Sequence, residues 1–154
     1  MANTTFNGPV RSENGFKNII KSSTTGSLTS EMTLSVYTAT ITVANGATSG
    51  KESSIGIPSN FIPMGVTVAV TTASSNAVNL NDIGTDADTD GYVDGISAAV
   101  NSTGFKGVFG CNGVRGITGL TGATSTADEV EVVVSGDPGS ATVLRLTFVG
   151  VTGA

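Results

Sequence analysis

The chain of 154 residues carries little charge: Asp, Glu, Lys and Arg make up 12% of it, about half the usual share of roughly 25%. The net charge of −5 argues against a general nucleic-acid-binding protein, which needs a basic surface. With one cysteine and no histidine, the chain cannot form an intrachain disulfide, a Cys/His zinc site or a histidine-assisted nucleophile. No segment approaches the ~20 apolar residues needed to span a membrane. We therefore expect no enzymatic activity, no nucleic-acid partner and no membrane partner, and we expect Cys111 to be a small packing residue.

The first part of the chain, residues 1–34, is polar and contains Asn-Gly at 7–8 and 14–15. It has few apolar side chains. We predict an extended N-terminal arm with one short strand near 16–21. Residues 1–30 have a net charge of +2 and residues 31–154 a net charge of −7, so a mildly basic arm on an acidic body could dock on an acidic protein surface. The alternative to docking is a flexible terminus, and the alternative for the charge difference is chance variation in a short segment. The predicted contact residues of the arm are Phe6, Val10, Arg11, Phe16, Lys17, Ile19 and Ile20.

The body of the chain, residues 35–154, has the pattern of β-strands. In VYTATITV (36–43), Tyr, Ala, Ile and Val alternate strictly with Thr, which is the period of two expected for a half-buried strand. The same alternation occurs at 65–72, 129–134 and 141–150, and glycine, proline and asparagine clusters lie between these runs. The pattern predicts a single all-β domain, a β-sandwich or jelly roll of about eight strands.

Glycine recurs at every third position from Gly104 to Gly122. A collagen triple helix has this period, but it also needs abundant proline, and the run contains none. We favour a β-hairpin that turns at Asn112-Gly113, a pair suited to a type I′ turn. Glycine-rich strands allow another backbone to come close, which suits a subunit interface; a plain strand role is the alternative. The predicted interface residues are Val108, Phe109, Val114 and Ile117.

Four aspartates fall within nine residues of the segment DADTDGYVDG. Asp86, Asp88 and Asp90 with the following glycine match the start of an EF-hand calcium loop, and Asp94 matches a later position. The bidentate glutamate of that loop is replaced by Ser97, and the flanks do not look like helices. The alternative, which we favour, is a solvated connection in which an aspartate caps a helical turn. Calcium is therefore the one candidate cofactor, at Asp86, Asp88, Asp90 and Asp94.

Four segments together resemble virion structural proteins of tailed phages, with the nearest likeness to small proteins of marine and cyanobacterial phages. These segments are MANTTFNGPVRSENGF, IGTDADTDGYVDGIS, CNGVRGI and ADEVEVVVSGDPGSATVLRLTFVGV. The likeness covers most of the chain but contains no defined signature motif, so it carries no catalytic or ligand residue with it.

The resemblance implies a capsid decoration, or cement, protein on the surface of the phage head. Such a protein binds across boundaries between major capsid protein subunits, stabilises the head and often forms a homotrimer. The arm would then lie between capsid subunits. Two other functions remain open: a tail or head-fibre adhesin that binds a host glycan, and a calcium-binding β structural module.

Overall fold

The computed structural model of the chain describes residues 17–21, 28–57, 61–113 and 128–153. These residues form ten strands and no helix, and therefore no helix that is long and apolar enough to cross a membrane. The strands are β1 (Lys17–Lys21), β2 (Leu28–Val43), β3 (Ser49–Ile57), β4 (Phe61–Thr72), β5 (Asn79–Thr85), β6 (Asp88–Val93), β7 (Ala98–Ala99), β8 (Gly104–Gly110), β9 (Asp128–Val134) and β10 (Thr142–Gly153).

Two antiparallel sheets pack face to face as a β-sandwich, which confirms the predicted fold class. Sheet A has the strand order β1-β2-β10-β4-β8, and sheet B has the order β3-β9-β5-β6, with the short β7 paired to β5. Without β1 and β7, eight strands remain, and they pair first with eighth, second with seventh, third with sixth and fourth with fifth. This is the pairing of a long hairpin folded over on itself, which defines a jelly roll.

The core lies between the sheets and follows the period of two seen in the sequence. Because successive side chains of a strand point to opposite faces, alternate residues are buried in the last part of β2 and along β4, β9 and β10. These alternate residues are Ala39, Ile41, Val43, Val66, Val68, Val70, Val130, Val132, Val134, Leu144, Leu146 and Phe148. At the centre, the ring of Tyr92 meets Phe148 edge-on at a centroid distance of 5.5 Å, a favoured aromatic geometry.

The sandwich is closed on the side where β2 meets β3. Gly50 packs directly on the backbone of Thr42, where a Cβ atom would collide with the carbonyl oxygen. Nearby, the Glu52 carboxylate accepts hydrogen bonds from the Tyr37 hydroxyl and the Thr40 N–H, each at 3.3 Å. Burial, followed by the charge of Glu52, raises the pKa of Tyr37. On the opposite side, the described residues of β8 and of the loop after β6 leave a groove open between them.

Residues 17–21 and 28–34, which the sequence analysis placed in the arm, belong to sheet A. β1 pairs antiparallel with the first part of β2, from Lys17 opposite Thr33 to Ile20 opposite Ser30. The short strand predicted near 16–21 is therefore confirmed at 17–21, and β2 is longer at its start than the predicted 36–43. Residues 1–16 lie outside the described part of the chain.

Two local predictions were wrong. The helical turn expected after the aspartates is instead the strand β6, which pairs with β5 through Ile83 opposite Val93. The type I′ turn expected at Asn112-Gly113 is absent, because neither residue has a positive φ angle. Gly113 instead donates its N–H to the carbonyl of Tyr92 and packs on the β6 backbone, where a Cβ atom would collide with Asp90. The second strand of the predicted hairpin, which begins at Val114, lies outside the described residues.

Candidate docking surfaces

The outer face of sheet A exposes apolar side chains at one corner. Val149 of β10 lies opposite Val36 of β2, and Val151 lies between Leu34 of β2 and Ile62 of β4. Residues paired across antiparallel strands share a face, so these five side chains form one patch, which we call the apolar corner. Leu34 is 53% exposed, Val36 65% and Val149 37%, while Ile62 and Val151 are half-buried.

Next to the apolar corner, Met64 is the extra residue of a β-bulge in β4 and is also well exposed. Exposed single hydrophobic residues are ordinary on protein surfaces, but a contiguous group is typical of an interaction site. The sequence analysis did not find this patch. Its signal is present in the sequence, because Leu34 and Val36 lie on the threonine side of β2, and Val149 and Val151 lie on the Arg145 side of β10.

The rest of the outer face of sheet A is flat and almost free of charge. One row across the sheet runs Thr38, Thr147, Thr67 and Val108, and the next runs Thr40, Arg145, Ala69 and Phe105. The Thr67 hydroxyl donates to the carbonyl of Thr147 at 3.5 Å, so part of the polar surface is satisfied within the sheet. The only charged residue in these rows is Arg145, which is exposed.

Of the predicted subunit-interface residues, the structure describes two, and they point to different faces. Val108 is 70% exposed on the outer face of sheet A, in the row next to that of Val36 and Val149 and two strands away from β10. Phe109 pairs with the inward-facing Val66 and packs against the core, so it is a structural residue in the isolated chain. Val114 and Ile117 lie outside the described residues. The exposed Phe105, which the sequence analysis did not select, lies on the same strand as Val108.

The strand β8 is an edge of sheet A among the described strands, but its edge is interrupted. The register with β4 shifts between Val68 and Ala69, which leaves Lys106 as the extra residue of a bulge. A lysine and a bulge on an edge strand both oppose the addition of another strand. Contact through the exposed faces of Phe105 and Val108 is therefore better supported than backbone pairing along this edge.

The predicted arm contacts fall mostly outside the described residues. Phe6, Val10, Arg11 and Phe16 are not described. Lys17, Ile19 and Ile20 lie in β1, where they are opposite Thr33, Glu31 and Ser30. They are therefore attached to sheet A, at the end of β2 that leads to the apolar corner.

The four aspartates do not adopt the calcium loop that their spacing suggests. Asp86 is in the turn between β5 and β6, Asp88 and Asp90 are in the extended strand β6, and Asp94 is in the loop after it. An extended strand sends successive side chains to opposite faces, whereas a calcium loop must curl around the ion. In the described ranges, no group of three or more acidic, cysteine or histidine residues is arranged to hold a metal ion.

The aspartate segment is held by other contacts. Lys51 of β3 lies 3.4 Å from the Asp86 carboxylate and 3.4 Å from the Glu129 carboxylate. These two partners raise the pKa of Lys51. The lysine thus joins β3, the β5–β6 turn and β9 on the surface of sheet B, where exposed ion pairs contribute little stability.

We expect calcium to leave the thermal stability of the protein unchanged. The physical reason is that strand pairing would have to break before the aspartates could surround an ion. The measurement is the melting temperature at free calcium from micromolar to millimolar, with magnesium as the control. A rise that saturates at micromolar calcium would show preferential binding to the folded state. It would contradict the expectation that the pairing of β5 with β6 keeps the aspartates from surrounding an ion.

A groove of about 320 Å³ lies on the open side of the sandwich, between the loop after β6 and the end of β8. The Asn112 side chain holds this loop in place by accepting from the Asp94 N–H at 3.0 Å and donating to the Asp94 carbonyl at 3.2 Å. The Asp82 carboxylate accepts a hydrogen bond from the Gly95 N–H at 3.1 Å, which holds the same loop one residue further along. The Asp94 carboxylate and the Ser97 hydroxyl remain on the exposed rim.

Cys111 is fully buried and belongs to the core cluster, as the sequence analysis predicted. Burial raises the pKa of its thiol to about 12. Because the thiolate is the nucleophilic form, this cysteine is chemically inert at neutral pH.

Comparisons with known proteins give one structural likeness. No family model matches the chain, and no curated protein matches it. Among solved structures, the chain is similar to a chain of the cyanophage Pam1 capsid asymmetric unit, with a TM-score of 0.42 and 14% sequence identity. The likeness covers 97% of this chain and 94% of that chain.

Proposed function

We propose that the chain is a structural protein of a tailed-phage virion, a head decoration or cement protein that binds across boundaries between major capsid protein subunits. The apolar corner of sheet A is the observation that carries the proposal. The jelly-roll fold is consistent with it, because viral capsid proteins use this fold repeatedly. The sequence resemblance to small phage virion proteins supports the same role, which requires no catalytic group.

In this proposal, binding stabilises the head by burying apolar surface across a seam. Leu34 and Val36 lose water when the corner meets the shell, at about 25 cal/mol per Å² of apolar area. The N-terminal arm, with Phe6 and Phe16, would add further apolar area to the contact. Each copy must also overcome the entropy lost on association. A few anchored side chains therefore give modest affinity per copy.

We propose further that the protein acts as a homotrimer. Linking three weak contacts raises the effective concentration of the second and third, so a trimer binds a seam far more tightly than one copy. Phe105 and Val108 support the proposal, because both are exposed on β8 at the side of sheet A away from β1. They are candidates for contact between copies.

Deletion of residues 1–16 is expected to leave a folded jelly roll that binds shells weakly. The deletion ends before β1, so the described sandwich keeps all its strand pairs. The measurement is co-sedimentation with emptied heads of the phage that encodes the chain, after the heads have been stripped of this protein. The full-length chain is the positive control, and circular dichroism checks the fold of the truncated chain. Binding equal to that of the full-length chain would remove the arm from the proposal.

A second function, a glycan-binding adhesin on a tail or head fibre, is favoured by the groove beside β8. An exposed carboxylate, a hydroxyl and an apolar wall at Val108 suit a sugar ring, and lectins also use the jelly roll. Labelling the protein in intact particles separates the two functions. Label over the whole head supports cement, whereas label confined to the tail or to one vertex supports an adhesin.

A further inference from the structure

Charge is divided unevenly between the two sheets. The strands of sheet A contain four basic residues and one acidic residue, a net charge of +3. The strands of sheet B contain one basic residue and seven acidic residues, a net charge of −6. The basic residues of sheet A are Lys17, Lys21, Lys106 and Arg145, and its acidic residue is Glu31. The acidic residues of sheet B are Glu52, Asp82, Asp88, Asp90, Asp128, Glu129 and Glu131.

The ion pairs of these residues increase the difference in charge between the two sheets. Lys51, the one basic residue in the strands of sheet B, already has two carboxylate partners on its own sheet. Arg145 is exposed in the middle of the outer face of sheet A, and the described residues provide it with no carboxylate partner. Among the described residues, Arg145 is therefore a guanidinium without a carboxylate partner, and it is the only charged residue in its own row and the neighbouring row of the sheet. An arginine in such a position suits bidentate binding of a carboxylate.

We infer that the outer face of sheet A from the apolar corner to Arg145 is the surface that docks on the shell, and that Arg145 binds a carboxylate there. Phe105 and Val108, on β8 at the side away from β1, are left for contact between copies. The occupant is an acidic patch of the major capsid protein that surrounds an apolar contact for the corner at Leu34 and Val36. Sheet B faces away from the shell. The inference rests on the proposed function and deepens it, because it assigns both the docking face and the chemistry of the partner.

The charge division would fix the orientation of docking. An acidic shell surface would attract the exposed Arg145 of sheet A and repel exposed carboxylates of sheet B such as Asp90, so copies that approach with sheet B first would bind poorly. Attraction of this kind speeds association at low salt and weakens as salt shortens the screening distance from roughly 10 Å at 0.1 M to roughly 3 Å at 1 M. The apolar corner supplies the salt-independent part of the affinity.

The test compares two charge reversals on opposite faces, Arg145→Glu and Lys51→Glu. Binding to stripped, emptied heads is measured at 0.05 M and 1 M salt, and circular dichroism confirms that both variants fold. We expect Arg145→Glu to weaken binding by about tenfold or more at low salt and by less than about threefold at high salt, because screening removes the charge contribution. Lys51→Glu, the matched control, should bind within about twofold of the unaltered protein at both salts, since sheet B is solvent-facing.

Arg145→Lys should bind with intermediate affinity at low salt, because lysine keeps the charge but loses the bidentate geometry.

Equal effects of the two reversals, or a larger effect of Lys51→Glu, would overturn the assignment of the docking face and leave the proposed function standing. A change of oligomeric state in Arg145→Glu, measured by light scattering with shell binding unchanged, would show that a second copy occupies this face and would also overturn the inference. Failure of the unaltered protein to bind heads at all would overturn the proposed function and this inference together.

Discussion

Replacing Phe148 by alanine is expected to lower the free energy of unfolding by about 3–5 kcal/mol. Phe148 is fully buried, and its ring contacts the rings of Tyr92 and Tyr37. Removal of the ring leaves a cavity between two sheets that are each held by backbone pairing, so the sheets cannot collapse into the space. For a domain of this size, the melting temperature should fall by about 6–20 °C.

The control is Val149→Ala, one residue along the same strand. Val149 points outward, so its replacement should change the free energy of unfolding by less than about 1 kcal/mol. Both variants are compared by urea denaturation followed by circular dichroism. If the two substitutions lower the free energy of unfolding equally, Phe148 is not at the centre of the core, and the assignment of inner and outer faces in sheet A is wrong.

The second large effect is expected on binding, at the apolar corner. In the triple variant Leu34→Gln, Val36→Thr and Val149→Thr, exposed apolar groups become polar without a change of charge. Threonine has nearly the shape of valine and keeps its preference for strands, so the fold should be preserved. Loss of apolar burial, at about 0.8 kcal/mol for each buried methyl or methylene group, should weaken binding to stripped heads by about a hundredfold.

The matched control is Val133→Thr on β9, which makes the same valine-to-threonine change on a strand of sheet B. Val133 is half-buried and lies between the inward-facing Val132 and Val134, so its substitution should leave shell binding within about twofold. Both proteins should keep the unfolding free energy of the unaltered chain within about 1 kcal/mol. If the triple variant binds heads as tightly as the unaltered chain, the apolar corner is not the docking site.

Local alternation in the sequence determined that 36–43, 65–72, 129–134 and 142–150 form strands and which of their apolar side chains are buried. Ile41, Val68 and Leu146 are buried where the period of two places them, because a strand presents alternate residues to opposite faces whatever its neighbours are. The all-β class and the buried position of Cys111 follow from the same composition and pattern. Those features depend only on residues close together in the chain.

Other features depend on which strands meet. β10 pairs with β2 although about a hundred residues separate them, and that pairing brings Val149 beside Val36 to form the apolar corner. The aspartate segment becomes strand β6 through pairing with β5, and Asn112-Gly113 packs on β6 instead of turning. The separation of charge between the sheets likewise arises only when the strands are sorted into two layers. A local pattern specifies the two faces of a strand but not its neighbours, so the tertiary structure alone decided which exposed side chains share a surface.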